Sequence, residues 1–127
     1  MKPLTRNRRP GRGDWTDARR GGTAAAMSDT IFSGPDCSTM LEVRAGVDQV
    51  DREIVALLAR RFAYMDAAAR IKPERGQVRD EARKAQVIEN ARANARAAGI
   101  PEEPVAQLWN QLIEASIAYE FDRFDEG

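Results

Sequence analysis

The stretch from Thr39 to Lys72 carries two interleaved sets of residues seven apart, and few architectures can accommodate it. Val47, Ile54, Arg61 and Ala68 form one set; Val50, Leu57, Tyr64 and Ile71 form the other. A seven-residue repeat of this kind is the mark of a long helix with an apolar stripe. Thr39 followed by Glu42 is a capping box, which places the start. Pro73 places the end, because the residue before proline resists helical geometry. A helix of roughly 33 residues is about 50 Å long at 1.5 Å per residue.

Two shorter helices follow. Asp80 is a cap for the Ala-rich run EARKAQVIENARANARAA, and Gly99 is its C-terminal stop. The segment PERGQV is the loop before it. The third helix starts at Pro101 or Glu102, with Pro104 tolerated in its first turn. Its apolar stripe runs through Val105, Leu108, Trp109, Leu112, Ile113, Ser116 and Glu120. No strand-like alternation and no internal repeat occurs. The expected fold class is therefore all-α, with one long and two shorter helices. The shorter helices span about 30 Å each, so some 20 Å of the long one stays uncovered in a three-helix monomer. Burying that apolar face requires another chain, and an intertwined helical homodimer is expected.

Residues 1–36 read differently. They hold RNRRPGRG, a Gly-Gly pair and few periodic apolar residues, which is the composition of a disordered extension. They carry seven Arg or Lys and four Asp, net +3, while residues 37–127 carry thirteen Arg or Lys and sixteen Asp or Glu, net −3. The folded domain is expected at 37–127, with Met27 an alternative start. Arg8-Arg9 invites a signal-peptide reading, but TAAAMSDTIF is too short and too polar for an export core.

Composition removes several chemistries. The chain has no histidine and one cysteine, Cys37. Histidine triads, the commonest general base and the usual zinc ligand sets are excluded, so no metal and no cofactor is expected. No internal disulfide can form, which fits a reducing, cytoplasmic compartment. Balanced overall charge gives no push toward nucleic acid or acidic membranes, and no apolar run approaches a membrane span.

What remains is cationic. Arg61 and Lys72 are eleven residues apart, only about 20° from sharing a direction and about 16 Å apart along the axis. A lone arginine is ordinarily a solvated surface charge, as Arg60 is expected to be. Arg61 instead occupies a stripe position, where an unpartnered guanidinium is costly. Arg44 lies about 25 Å from Arg61 along the same helix, so it can meet Arg61 and Lys72 only across a dimer. Ser116 and Glu120 sit four apart on the third helix's stripe. Ser116 can bond back to its own helix. Glu120 can be a buried salt-bridge partner or a protonated donor. Several cations and one inward carboxyl suit a small dianion, held for catalysis by electrostatic positioning.

The run LEVRAGVDQVDREIVALLARR, then IK, VRDEARK and LIEASIAYE, resembles the all-helical chorismate mutases over about residues 36–124. The resemblance implies an intertwined dimer whose substrate is chorismate, rearranged to prephenate on the way to phenylalanine and tyrosine. It implies that Arg44 from the partner chain and Arg61 bind substrate carboxylates, and that Lys72 reaches a carboxylate and the ether oxygen. Asp80 and Arg83 match the start of the helix that closes over the substrate, and Ser116 matches a polar residue beside the carboxylate site. Glu120 stands where glutamine is common as second donor to the ether oxygen. Lys84 stands where many members have a glutamate for the substrate hydroxyl, leaving that contact to Asp80. The chain also resembles the isochorismate pyruvate lyases, through Asp36-Cys37 and the loop after Lys72. Arg79, Asp80 and the LIEAS run look more like the mutases. A third alternative is a non-catalytic helical dimer that binds an aromatic-pathway metabolite or a partner enzyme.

Overall fold

The structure is a computed structural model and describes residues 30–127. Most of the expected basic extension, Met27 included, lies outside these residues. Three α-helices make up the described chain: α1 (Met40–Ile71), α2 (Glu81–Ala98) and α3 (Glu102–Glu126). Short 3-10 turns occur at Gly34–Asp36 and Arg75–Gln77. Among the described residues there is no strand, so the all-α expectation holds. No helix there is long and apolar enough to cross a membrane.

The ends of the helices follow the local signals. Thr39 Oγ1 accepts from the Glu42 backbone N–H at 3.1 Å, and Glu42 Oε1 accepts in return from the N–H groups of Thr39 and Ser38. That is the reciprocal capping box. Lys72 N–H still donates to Ala68 O at 2.9 Å before Pro73 ends the ladder. Asp80 caps α2, its Oδ1 accepting from Arg83 N–H at 3.0 Å. Gly99 closes α2 in the left-handed region at φ 76°, where a side chain is strained.

The described residues divide into two units, one ending at Val55 and the other Ala56–Gly127. In the first, the segment before α1 turns back on itself: Cys37 N–H donates to Gly34 O at 3.2 Å, and Phe32 O lies beside Gly46. Val47, Val50 and Ile54 of this unit are about half exposed.

In the second unit α2 and α3 are the closely packed pair. Their buried residues are small: Ala91 and Ala95 on α2, Ala106 and Ile113 on α3. Alanines at a helix contact let backbones approach but bury little apolar area each. Val78, at the end of the loop after Lys72, is also buried. Arg92 pairs with Glu103, and Arg96 with Glu102 at 2.8 Å, locking the α2–α3 connection. Leu108 departs from the expected stripe: it is 64% exposed, while Ala106 takes the inward place. The second part of the α1 stripe, Leu57, Tyr64 and Ile71, is 56–70% exposed.

Candidate active site

The C-terminal half of α1 and the C-terminal half of α3 run side by side in the same direction. Arg61 pairs with Ser116, Asp66 with Tyr119 and Arg123, and Lys72 with Glu120. Arg61 and Lys72 are about 16 Å apart along α1, while Ser116 and Glu120 are only about 6 Å apart along α3. The two long cationic side chains therefore lean toward one another over α3.

Arg61 Nη1 donates to Ser116 Oγ at 2.7 Å, and the serine hydroxyl donates onward to Leu112 O at 2.7 Å. Ser116 is 3% exposed. Its back-bond to its own helix and its contact with Arg61 coexist, each using a different capacity of the hydroxyl. Burial lowers the Arg61 pKa, and repulsion from Arg83 lowers it further. The guanidinium stays cationic regardless, since arginine starts far above physiological pH. Two guanidinium groups close enough to repel form a place where an anion is favourable.

Glu120 is 4% exposed, as its stripe position implies. Lys72 Nζ stands 2.8 Å from its Oε2. The approach lies outside hydrogen-bonding alignment, so this buried oxygen has a counter-charge but accepts no proton among the described residues. Lys72 itself is partly exposed, with 29% of its side chain accessible. One end of the pair is thus sealed in the protein and the other opens to solvent.

The remaining candidates lie around this pair or apart from it. Arg83 is exposed near the start of α2, where Nη1 donates to Gln86 Oε1 at 2.7 Å. Asp80 is exposed and its Oδ1 caps α2. Lys84 Nζ is held by Glu114 Oε2 at 2.5 Å. Arg44 is an exposed residue of the first unit, one turn into α1. The second unit therefore brings together Arg61, Lys72, Ser116 and Glu120, and the charge of Arg83 is felt at Arg61.

Three further groups frame the site and are not marked by sequence periodicity. Glu114 binds both Arg79 and Lys84. Asp66 accepts from Tyr119 Oη at 2.8 Å and Arg123 Nε at 3.0 Å. Arg75 reaches Asp125 through Nε at 2.9 Å and lies 4.4 Å over the Phe121 ring, tying the loop after Lys72 to the end of α3. The residue that could have signalled Asp66 is its neighbourhood: one carboxylate amid Tyr64, Met65 and three alanines.

This arrangement can hold an anion between fixed cations and can offer donors to a developing negative charge. It contains no activated nucleophile of the serine–base kind, since the Ser116 hydroxyl is spent on Leu112 O.

Comparison with known proteins agrees with this architecture. Residues 43–121 match the model of the family described as chorismate mutase type II, an interval that runs from just before Arg44 to just after Glu120. The chain is also similar to an isochorismate pyruvate lyase of Pseudomonas aeruginosa, 30% identical over 83 residues, which is 65% of this chain and 82% of that protein. The chain belongs to the chorismate mutase type II family.

Proposed function

We propose that the chain is a chorismate mutase, converting chorismate to prephenate as a homodimer. The observation that carries this reading is the convergence of Arg61 and Lys72 on Ser116 and Glu120. It is a cationic site with one buried carboxyl, and chorismate is a flexible dianion. The catalytic domain is residues 37–127.

The rearrangement is pericyclic. The ether C–O bond breaks as a new C–C bond forms, electrons move in one cycle, and no proton or covalent intermediate is needed. Negative charge grows on the ether oxygen. The protein's task is to hold the compact reactive shape and stabilise that charge. Arg61 binds one substrate carboxylate and keeps its aim through Ser116. Lys72 donates to the ether oxygen and a carboxylate. Glu120, when protonated, is the second donor. Arg83 approaches from α2, and Asp80 fixes the start of that helix.

Arg44 of a second copy completes the site. Support for the dimer comes from the α1 stripe, whose Leu57, Tyr64 and Ile71 stand exposed in a single chain. The thin alanine core of the α2–α3 pair points the same way, because it leaves most large apolar groups to be covered elsewhere. The lone Cys37 supports a cytoplasmic setting.

One observation favours a second reading, formation of salicylate and pyruvate from isochorismate: the similarity to a protein that bears the lyase name. Incubating the protein with chorismate and, separately, with isochorismate distinguishes the two. Prephenate from chorismate, without salicylate from isochorismate, is the expected result. Salicylate and pyruvate as the main products reverse the assignment, and no turnover of either compound leaves a binding protein.

A further inference from the structure

We propose that Glu114 is a positioning residue for this site: its carboxylate ties Arg79 and Lys84 to α3 and thereby holds Arg83, which lies between them in the chain, toward Arg61. The inference rests on the reading of the site as a dianion-binding centre.

The problem Glu114 solves is repulsion. Repulsion from Arg83, second to burial, lowers the Arg61 pKa, and like charges on α1 and at the start of α2 oppose close approach. Among the described residues Arg83 has no acidic partner to offset that repulsion. Its side chain bonds only the neutral amide of Gln86, and its backbone N–H is taken by Asp80. Glu114 supplies the opposing attraction on either side of it. Oε1 receives Arg79 Nη2, just before α2, and Oε2 receives Lys84 Nζ at 2.5 Å, in its first turn. Lys84 is only 19% exposed, so the lysine end of this contact is partly sheltered from solvent.

Glu114 and Ser116 are two residues apart, about 200° around α3. One face of α3 thus grips the start of α2 while the other aims Arg61. The same helix sets both arginines, and the gap between them is fixed by α3. Glu114 also offsets part of the charge of two cations that would otherwise compete with Arg83 for a substrate carboxylate. Ion pairs that water still reaches on the Glu114 side add little to stability, so the effect of Glu114 is expected in ligand affinity more than in folding.

The test is steady-state kinetics on chorismate, calorimetric titration with prephenate, and melting temperature, for the wild type, Glu114→Gln and Glu114→Asp. Glu114→Gln is expected to raise KM and the prephenate Kd about tenfold, with kcat within about threefold, because binding common to ground and transition state is lost. Glu114→Asp, which keeps the charge, is expected to recover most of the affinity. Should Glu114→Gln fail to fold, the double variant Arg79→Met/Lys84→Met removes the same tethers and is expected to show the same KM rise. A folded variant with unchanged KM overturns the inference, and so does a loss confined to kcat or to folded fraction. A wild type that turns over neither chorismate nor isochorismate removes the underlying reading and this inference with it. A wild type that turns over chorismate, with variants to match, removes the role of Glu114 alone.

Discussion

Arg61 donates to the buried hydroxyl of Ser116 at 2.7 Å, and that hydroxyl is anchored in turn to Leu112 O. The guanidinium is therefore aimed by a group that cannot rotate away without abandoning its own helix. Ser116→Ala removes the anchor and leaves Arg61 charged but free to turn. The expected result is a rise in KM of about tenfold with a smaller change in kcat, since arginine–carboxylate contact exists before and during the reaction. Arg61→Ala should cost more, about a hundredfold in kcat/KM. Equal losses in the two variants would mean that Ser116 meets the substrate itself.

Lys72 and Glu120 make the second prediction. An ammonium 2.8 Å from a buried carboxyl oxygen is poised to trade that partner for a substrate oxygen. Loss of one donor to a developing oxyanion costs roughly 3–4 kcal/mol, or 10²–10³ in rate. Lys72→Ala should fall at least that far in kcat/KM, and a loss under threefold removes Lys72 from the reaction. A carboxyl donates only when protonated, whereas an amide donates at every pH. Glu120→Gln should therefore keep kcat/KM at or above the wild-type value, while Glu120→Ala should lose about a hundredfold. A Glu120→Gln variant as inactive as Glu120→Ala rejects Glu120 as a donor.

The sequence makes some of this site legible and hides the rest for physical reasons. Both ends of α1 are written locally, in the Thr39–Glu42 box and in Pro73. The inward aim of Arg61, Ser116 and Glu120 follows from periodicity, because a charge on an apolar stripe has nowhere else to go. Leu108 breaks the pattern. The alanines of α2 draw the two helices close, so small Ala106 sits at the contact and bulky Leu108 turns outward. Glu114 is hidden for another reason: it flanks the stripe, where a glutamate bound to two cations reads like any solvated one. Its partners are 30 and 35 residues away, and only the fold brings them together.

The proposed sharing of a site between two chains gives the third prediction. If Arg44 of one chain completes the site built on Arg61 of its partner, Arg44→Ala and Arg61→Ala each disable both sites of a homodimer. Co-expressed or exchanged in equal amounts, they give heterodimers in which one site has both arginines and the other has neither. Random pairing makes half the dimers mixed, so activity should return to about a quarter of wild type. Mixing two variants that act within one chain restores nothing.

The last prediction concerns acid. Three carboxylates, none of them buried, tie the second unit's elements together, and each sits below its ordinary pKa. Glu114 is lowered chiefly by the hydrogen bond from Lys84, Glu102 by that from Arg96, and Asp125 by that from Arg75. A depressed carboxylate stabilises the fold at pH above its unfolded value, and that contribution disappears as pH falls through the folded value. Near neutrality all three are ionised in both states, so melting temperature should be flat from about pH 7 to pH 5 and fall below about pH 4. The triple variant Glu114→Gln/Glu102→Gln/Asp125→Asn lacks these groups and should begin lower at pH 7 but lose less on acidification. An identical acid slope in wild type and triple variant would assign the loss to other carboxylates, and the three pairs would then matter for geometry alone.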